Sequence, residues 1–573
     1  MIKMTFSILN EKEKVFFIII LILFFFTSSL EALGIGLIYP ILNLILNESY
    51  LENIYYKKYL SDLNLSKFQV IYISLIFLPL FYLIKNLSIF FVKYFTFRYR
   101  KIIDLRVTKQ VMSKYLMISY EKIYTKTTEE IFKNISFARE FSTTIFALLN
   151  IIHEIFVYIF IIFLLLILNS KLVFIIFILF FTIIFIFYLV GKKILYKLGD
   201  RYQQNFQSIV KLIVETVSGI KTIKLIGKEK YFLEKIQKKN LNEANIRNVT
   251  DLFLQIPSHT VEICSVFSVS VIIIILAYYQ KNFNEIIGTV AVFGVALTRL
   301  MPSTTRLIAY MQTLRFNLPK TKIIYEELHT FNNKDYLEHL NSKEKSKKKI
   351  IFKNNIKFNK VNFFFNNQKK IFFNLSLDIK KKKVIGIFGP SGSGKSTFNN
   401  LLTGLLKPNA GEILVDGINI NENIRNWQDG IGFVSQNPFF SNDTIKNNIL
   451  FGENSRDFRI NDFKNAVKLS QLNELLKSLP NGYNTFIGEK GINFSSGQLQ
   501  RLSIARSLYR NPNVLILDEA TNSLDENNEK QFFNCIKKLK RKITVIIVSH
   551  KKSNFYFCDE IYKLSNYKLN KTT

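Results

Sequence analysis

The hydrophobic pattern divides the chain into two unlike parts. Within the first 320 residues, roughly six apolar stretches are each long enough to cross a bilayer, which takes about 20 mostly apolar residues. They lie near residues 15–42, 68–92, 141–168, 172–190, 255–279 and 285–312. The segments around 93–140 and 191–254 are polar, rich in Lys and Arg, and helical in pattern, which assigns them to the cytosol. We expect six spans, long cytosolic loops and cytosolic termini.

Two further segments separate the predicted regions. Residues 43–67 carry balanced charge and belong outside, and within them residues 49–62 fit either a short helix on the membrane surface or an ordinary loop. Residues 331–350 are polar and Lys-rich, as expected of a tether. The sequence thus predicts a transmembrane domain over 1–330, a linker over 331–350 and a nucleotide-binding domain over 351–573.

Beyond residue 350 the pattern changes to short buried strands alternating with helices. The segments KKKVIGIFG, VLILD and ITVIIVSH each read as a strand that ends in glycine or a polar residue. This alternation predicts an α/β domain with a mostly parallel sheet and functional loops at the carboxyl ends of its strands.

Charge and composition exclude several classes of protein. The chain has 77 Lys and Arg against 43 Asp and Glu, a formal net charge of +34, and 49% hydrophobic residues. Such a mixture excludes a uniformly soluble or a disordered chain. The basic residues are spread along the chain without a stacking-aromatic or zinc motif, so we expect a membrane and no nucleic acid as partner.

The strongest motif runs from Gly389 to Ser396, GPSGSGKS, and follows the strand VIGIF. Its spacing, GxxxxGK[ST] between a strand and a helix, is that of a phosphate-binding loop. Backbone N–H groups would converge on phosphate oxygens, Lys395 would reach the β and γ phosphates, and Ser396 would ligate Mg²⁺.

Two further strand ends carry hydrolytic candidates. Asp518 and Glu519 close the strand VLILD, where Asp518 would hold Mg²⁺ through water and Glu519 would polarise the attacking water. His550 follows the strand ITVIIVS and could contact the γ-phosphate, although a lone histidine at a strand end is more often structural.

These motifs, in this order, resemble the nucleotide-binding domain of ATP-binding cassette (ABC) transporters. Residues 493–498, NFSSGQ, match the family's signature loop, usually LSGGQ, and residues 523–525, SLD, match the loop after the catalytic glutamate. The resemblance implies that Phe365 stacks on adenine and that Gln436 senses Mg²⁺. It implies an ATP site formed by Phe365, Gly389, Pro390, Ser391, Gly392, Ser393, Gly394, Lys395, Ser396, Thr397, Gln436, Ser495, Ser496, Gly497 and Gln498. Ser396, Gln436 and Asp518 would bind Mg²⁺, and Glu519 and His550 would be catalytic.

One cassette in one chain has a further implication. In this family the signature loop completes the ATP site of the opposite subunit, so the resemblance implies a homodimer. Ser496 replaces the usual glycine and adds a Cβ near ATP, which could weaken the site. We expect a competent ATPase, because Glu519 and His550 are present. They also argue against a nucleotide-gated channel or regulator.

Several cations lie at membrane depth, where a charge is costly and therefore suggests a function such as binding the transported molecule. Lys85 lies in the second predicted span, and Arg299 and Arg306 lie seven residues apart in the last, nearly two helical turns. They could form a basic cavity for an anionic head group such as a pyrophosphate. They could equally pair with nearby glutamates or reach toward the interface.

The segments ALTRLMPSTTRLI and SLEALGIGLIYPIL, with the neutral 43–67 segment, resemble bacterial flippases of lipid-linked oligosaccharides. The resemblance implies that Lys85, Arg299 and Arg306 receive the pyrophosphate, although Ser258 stands where a further Arg is expected. The leading hypothesis is an ATP-driven flippase of a polyprenyl-pyrophosphate-linked oligosaccharide in the bacterial cytoplasmic membrane. The alternative is an exporter of a peptide, a lipid A-like lipid or a hydrophobic drug.

Overall fold

The computed structural model describes the chain except residues 1, 47–66, 169, 279–282, 330–349, 366–368, 454–457, 489–493, 521–525, 551 and 573. The predicted external helix at 49–62 and almost all of the predicted linker lie outside the described residues. The chain forms two compact units. One comprises Met1–Ile118 and Thr125–Asn333, and the other Ser119–Tyr124 and Lys334–Thr573.

The first unit is built from helices. They are α1 (Ile2–Ile8), α2 (Glu11–Gly36), α3 (Ile38–Leu46), α4 (Lys67–Met117), α6 (Thr128–Leu168), α7 (Ser170–Ser218), α8 (Ile220–Ile226), α9 (Glu229–Tyr278) and α10 (Phe283–His329), with α5 (Tyr120–Tyr124) grouped in the second unit. The four helices α6, α7, α9 and α10 share a core that includes Val157, Phe180, Ile272 and Phe293. The opposite faces of α6, α7 and α9 expose large apolar side chains, as a bilayer requires.

Five helices within the described residues are long and apolar enough to cross a membrane. They cover Glu11–Leu42, Phe68–Met117, Thr128–Ile167, Phe177–Ser218 and Glu229–Tyr278. The sixth predicted span falls in α10. With 51 residues, α4 is about 75 Å long, against about 30 Å of hydrocarbon, so it continues well past the membrane.

The second unit contains two sheets. The antiparallel sheet has the order β2-β1-β4-β5, formed by β1 (Asn355–Phe365), β2 (Lys369–Lys380), β4 (Ala410–Val415) and β5 (Ile418–Asn419). The other has the order β10-β9-β3-β8-β7-β6, formed by β3 (Val384–Phe388), β6 (Ile431–Val434), β7 (Val514–Asp518), β8 (Thr544–Ser549), β9 (Glu560–Ser565) and β10 (Lys568–Thr572). The helices of the second unit are α11 (Lys395–Leu402), α12 (Ile424–Asp429), α13 (Ile445–Leu450), α14 (Ile460–Leu469), α15 (Asn473–Ser478), α16 (Ser496–Tyr509) and α17 (Glu526–Lys537).

The larger sheet positions the site. Strands β3, β8, β7 and β6 are parallel neighbours, and the apolar residues of β7 and β8 are all buried, as in a sheet covered on both faces. Because parallel strands end at the same edge, the loops after these four strands converge there. The GPSGSG loop, His550, Asp518 with Glu519, and Gln436 follow β3, β8, β7 and β6 in that order.

Candidate functional site

The phosphate-binding loop follows the buried strand β3 and leads into α11. Gly392 and Gly394 have φ angles of +78° and +104°, in the region that favours glycine. A Cβ on Gly389 would lie 2.7 Å from the carbonyl oxygen of Leu564, so the first glycine is needed for close approach. Pro390, Ser391, Gly392 and Ser396 are exposed, whereas Ser393, Gly394 and Thr397 are half-buried.

Lys395 is held by its own loop and by a carboxylate. Its Nζ donates hydrogen bonds to the carbonyl oxygens of Gly389 (3.0 Å) and Pro390 (3.1 Å). The same Nζ lies 3.3 Å from Glu519 Oε1. The structure therefore brings the predicted phosphate-binding lysine and the predicted general base into one ion pair.

The end of β7 holds two carboxylates in different environments. Burial raises the pKa of Asp518, and the neighbouring Glu519 charge raises it further, while the Lys395 charge opposes both. Glu519 has a φ of +47°, uncommon for a residue with a side chain, and its N–H donates to the Val548 carbonyl at 2.8 Å. Such a conformation persists where the surroundings enforce it, as active sites often do.

His550 and Gln436 occupy the neighbouring strand ends. His550 is exposed directly after β8, whose Val548 pairs with Asp518. Gln436 is exposed two residues after β6, and its carbonyl oxygen accepts a hydrogen bond from Gln500 Nε2 at 2.8 Å. Both predicted residues thus lie along the same sheet edge as Asp518.

The predicted signature residues form the start of α16. Ser495 caps this helix, because its Oγ accepts from the Gln498 N–H (3.3 Å) while its own N–H donates to Gln498 Oε1 (2.9 Å). The Ser496 side chain is exposed and Gly497 is buried. Serine at position 496 is therefore compatible with an intact cap. Asn493 and residues 523–525 lie outside the described residues.

Phe365 ends β1, and its side chain is 37% exposed. Its ring lies 4.9 Å from that of Phe363 in an edge-to-face arrangement, which leaves an aromatic face available. The next strand, β2, reaches the phosphate-binding loop, since a Cβ on Gly394 would lie 2.8 Å from Ile371 Cγ2. The antiparallel sheet therefore borders the loop, as a base-binding surface would.

The loop and its neighbours fit ATP and Mg²⁺. Ser393 Oγ is buried and has no hydrogen-bond partner among the described atoms, and no atom lies within 4 Å of a Cβ built on Gly392. Hydroxyl, amide and carboxylate oxygens of Ser396, Gln436 and Asp518 are the hard ligands that Mg²⁺ prefers. Within the described part of the chain, no cluster of three or more His, Cys, Asp or Glu offers a separate metal site.

Sequence reasoning missed two side chains that brace this region, one of them buried and the other half-buried. Gln500 is 2% exposed and joins α16 to the loop that carries Gln436. Arg506 lies 4.6 Å from the ring centres of both Phe440 and Phe451, and burial lowers its pKa to about 10. Their positions on the inner face of α16 follow from helical spacing, but their partners depend on tertiary packing.

A second candidate site lies in the helical unit. Arg299 Nε donates to Glu31 Oε2 at 2.9 Å, and a second guanidinium nitrogen contacts Glu31 Oε1. Arg306 contacts Glu154 Oε1 at 2.5 Å and Oε2 at 3.1 Å. The two arginines thus form the glutamate pairs that the sequence offered as an alternative to a free basic cavity. Lys85 Nζ lies 3.9 Å from the centre of the Tyr82 ring.

Comparison with known proteins agrees with this geometry. A model described as "ABC transporter transmembrane region" matches residues 15–301, and one described as "ABC transporter" matches residues 372–522. A solved bacterial Atm1-family ABC exporter with ATP bound has a TM-score of 0.77 and 20% identity, and covers 97% of this chain and 94% of its own. It shows the fold alone.

Curated relatives match more locally. The uncharacterized ABC transporter ATP-binding protein y4gM of Sinorhizobium fredii is 31% identical over 62% of this chain and 59% of its own length. The ATP-dependent lipid A-core flippase of Desulfotalea psychrophila is 29% identical over 63% of this chain and 62% of its own length. ABC transporter B family member 13 of Arabidopsis thaliana is 39% identical over 38% of this chain and 17% of its own length. The match spans less than two thirds of each of these relatives.

These matches confirm two predictions. The fold class is a helical transmembrane domain followed by an α/β nucleotide-binding domain, and the enzyme class is an ABC ATPase. The transmembrane model alone covers half of the sequence, and the ATPase model follows it. The chain therefore belongs to the ABC transporter family, with a transmembrane region followed by a nucleotide-binding domain.

Proposed function

We propose that the protein is an ATP-driven exporter that moves a lipid-linked oligosaccharide, carried on a polyprenyl pyrophosphate, across the bacterial cytoplasmic membrane. The observation that carries the ATPase part is the Lys395–Glu519 pair at the edge shared by four parallel strands. The GPSGSG loop would bind the phosphates through backbone N–H groups. Mg²⁺, when bound, supplies charge stabilisation for phosphoryl transfer.

The ion pair suggests how hydrolysis depends on ATP. In this structure the Lys395 ammonium neutralises Glu519 at 3.3 Å. A bound triphosphate offers Lys395 a stronger anion, so the ammonium would shift toward it and leave Glu519 more basic. Glu519 would then accept a proton from the attacking water, the role of a general base. His550 would contact the γ-phosphate from the neighbouring strand end.

The sheet order supports a dimer. The signature helix α16 packs beside β6, whereas the phosphate-binding loop follows β3, three strand positions away. At about 4.8 Å per strand this separates the two elements by about 14 Å within one chain. A signature loop completing an ATP site would therefore come from a second copy, and we propose a homodimer with cytosolic termini and cytosolic nucleotide-binding domains.

The cargo proposal is supported by Arg299 and Arg306 in α10. Their side chains are 31% and 37% exposed, although the glutamates that they bind are buried. Guanidinium groups match phosphate geometry, and each retains N–H donors beyond those used by its glutamate. Lys85 lies within electrostatic reach of Arg299 and Glu31. An anionic head group would find three cations, Lys85, Arg299 and Arg306, within the predicted membrane spans.

The test is ATP-dependent translocation in proteoliposomes containing only this chain. A fluorescent polyprenyl-pyrophosphate glycan should lose accessibility on the side of the nucleotide-binding domains, and Glu519→Gln should abolish both translocation and hydrolysis. Hydrolysis without translocation would refute the cargo. Absence of hydrolysis by the unmodified chain would refute the competent homodimer.

A second cargo is favoured by one observation. The matched protein of Desulfotalea psychrophila is described as a lipid A-core flippase. Lipid A is also an amphipathic lipid with phosphates, so Arg299 and Arg306 suit either cargo. Adding lipid A to the same vesicles distinguishes the two cargoes. If lipid A is the transported lipid, it should compete with the fluorescent glycan lipid for translocation. Competition by a peptide or a neutral hydrophobic drug instead would indicate an exporter of peptides or drugs.

A further inference from the structure

The two arginine pairs of the helical unit are asymmetric. The side chains of Glu31 and Glu154 are 3% and 2% exposed, so both carboxylates are almost completely removed from solvent. The guanidinium groups that cover them remain about one third exposed. Each pair therefore presents its cation outward and holds its anion inside.

Each carboxylate is also fixed by its surroundings. Glu154 accepts a hydrogen bond from Ser303 Oγ at 2.6 Å in addition to its contacts with Arg306. Glu31 binds Arg299 through both carboxylate oxygens. The acids come from α2 and α6, whereas both arginines come from α10. Three helices thus contribute to two neutral pairs, and neither carboxylate can leave without breaking several hydrogen bonds.

We propose that Glu31 and Glu154 are internal counter-ions that weaken the binding of an anionic head group by Arg299 and Arg306, so that the head group can be released. This inference rests on the proposed function, in which the two arginines receive a phosphorylated lipid. It assigns to the two glutamates a role in setting affinity and charge specificity.

The physical basis is repulsion that does not depend on contact. A phosphate bound to the exposed edge of a guanidinium lies only one side chain away from the carboxylate on the opposite edge. Two unit charges about 6 Å apart interact appreciably at the effective dielectric of a protein, and a buried carboxylate is poorly screened. Glutamine keeps the size and one acceptor oxygen of glutamate but removes this repulsion.

The carboxylates would also oppose trapping of the cargo. Two uncompensated arginines would hold a pyrophosphate through charge-assisted bidentate hydrogen bonds, which are among the strongest available to side chains. A transporter must release its cargo on the far side. A permanent neutralising carboxylate lowers affinity for anions while leaving the arginines able to favour an anion over an uncharged lipid.

The experiment measures binding of fluorescent polyprenyl pyrophosphate and of uncharged polyprenol to the full-length protein in lipid nanodiscs. Glu31→Gln and Glu154→Gln should each lower the Kd for the pyrophosphate lipid by about tenfold. Binding of polyprenol should not change. Glu262→Gln is the matched control, because Glu262 is an exposed carboxylate in α9 of the same unit. A Kd that is unchanged or raised in the Glu31 and Glu154 variants for both polyprenyl pyrophosphate and lipid A would overturn the proposal.

A double-substitution cycle guards against misfolding of a single variant. The loss of pyrophosphate affinity caused by Arg306→Gln should be larger when position 154 is glutamine than when it is glutamate. Equal losses would overturn the counter-ion role. Lipid A provides the final arm: tightening with lipid A but not with polyprenyl pyrophosphate would support the counter-ions and refute the proposed cargo, whereas tightening with neither would refute the counter-ions.

Discussion

Replacing Gly394 by alanine tests how tightly the phosphate-binding loop is constrained. Gly394 has a φ of +104°, and a Cβ there would lie 2.8 Å from Ile371 Cγ2 and 3.2 Å from Phe372 Cζ. Both neighbours are buried, and Ile371 is β-branched, so its Cγ2 cannot rotate away freely. Gly394→Ala therefore combines a disfavoured backbone conformation with a steric overlap.

The two costs can be separated with a second glycine. Gly417, in the exposed turn between β4 and β5, has a φ of +84°, and no atom lies within 4 Å of a Cβ built on it. Gly417→Ala should cost about 1–2 kcal/mol from backbone strain alone. Gly394→Ala should cost about 1–3 kcal/mol more, because overpacking of a filled site adds that amount. Nucleotide affinity should fall only in the Gly394 variant.

The chain supplies its own probe for this experiment. Trp427 is the single tryptophan, is 2% exposed, and donates from Nε1 to the carbonyl of Leu402, the last residue of α11, at 2.8 Å. Its fluorescence in the detergent-solubilised protein therefore reports unfolding of the nucleotide-binding domain. For a domain of this size each kcal/mol lowers Tm by about 2–4 °C. Equal shifts for the two variants would refute the steric argument.

Three further substitutions test the site. Asp518→Asn should stabilise the nucleotide-free domain at neutral pH while abolishing Mg²⁺-dependent hydrolysis. The raised pKa of Asp518 means that the folded state binds more protons than the unfolded state. The stability of the unmodified protein should therefore fall as pH rises through and above the ordinary carboxyl range. The Asn variant should show a smaller fall when its melting is followed by Trp427 fluorescence. Ser496→Gly should leave the ATPase rate nearly unchanged, because the cap at the start of α16 is formed by Ser495 and Gln498 rather than by Ser496; a large gain would show that the Cβ of Ser496 obstructs ATP. Gln500→Met should destabilise the domain by about 1–3 kcal/mol by leaving the Gln436 carbonyl unpaired, and an unchanged melt would contradict that role.

Local patterns predicted the elements that carry the site. VIGIF, VLILD and TVIIVS form β3, β7 and β8, because short β-branched runs bounded by glycine or polar residues favour buried parallel strands. Hydropathy located the membrane spans, but it did not predict how far each helix continues beyond the membrane. Helix α4 continues from its apolar stretch to Met117 without a break, because the polar residues after it also favour helix.

The contacts that connect distant segments could not be read from the sequence. The Arg299–Glu31 and Arg306–Glu154 pairs join residues 268 and 152 positions apart, and they depend on how α10 packs against α2 and α6. Sequence spacing placed both arginines toward one side of a helix and left open what lay opposite. The Gln500 contact likewise requires α16 to lie against β6.

The nucleotide and cargo proposals share one electrostatic arrangement. Lys395 is paired with Glu519, and Arg306 with Glu154, so the cations expected to bind phosphate are already neutralised by carboxylates of the same chain. Neutralisation keeps a buried cation from being left uncompensated when no ligand is bound. It also requires each phosphate to compete with a carboxylate, which limits affinity. The pairs differ in the fate of the acid: Glu519 lies at a strand end where a released carboxylate can act as a base, whereas Glu154 is enclosed by Ser303 and Arg306 and can only oppose the anion.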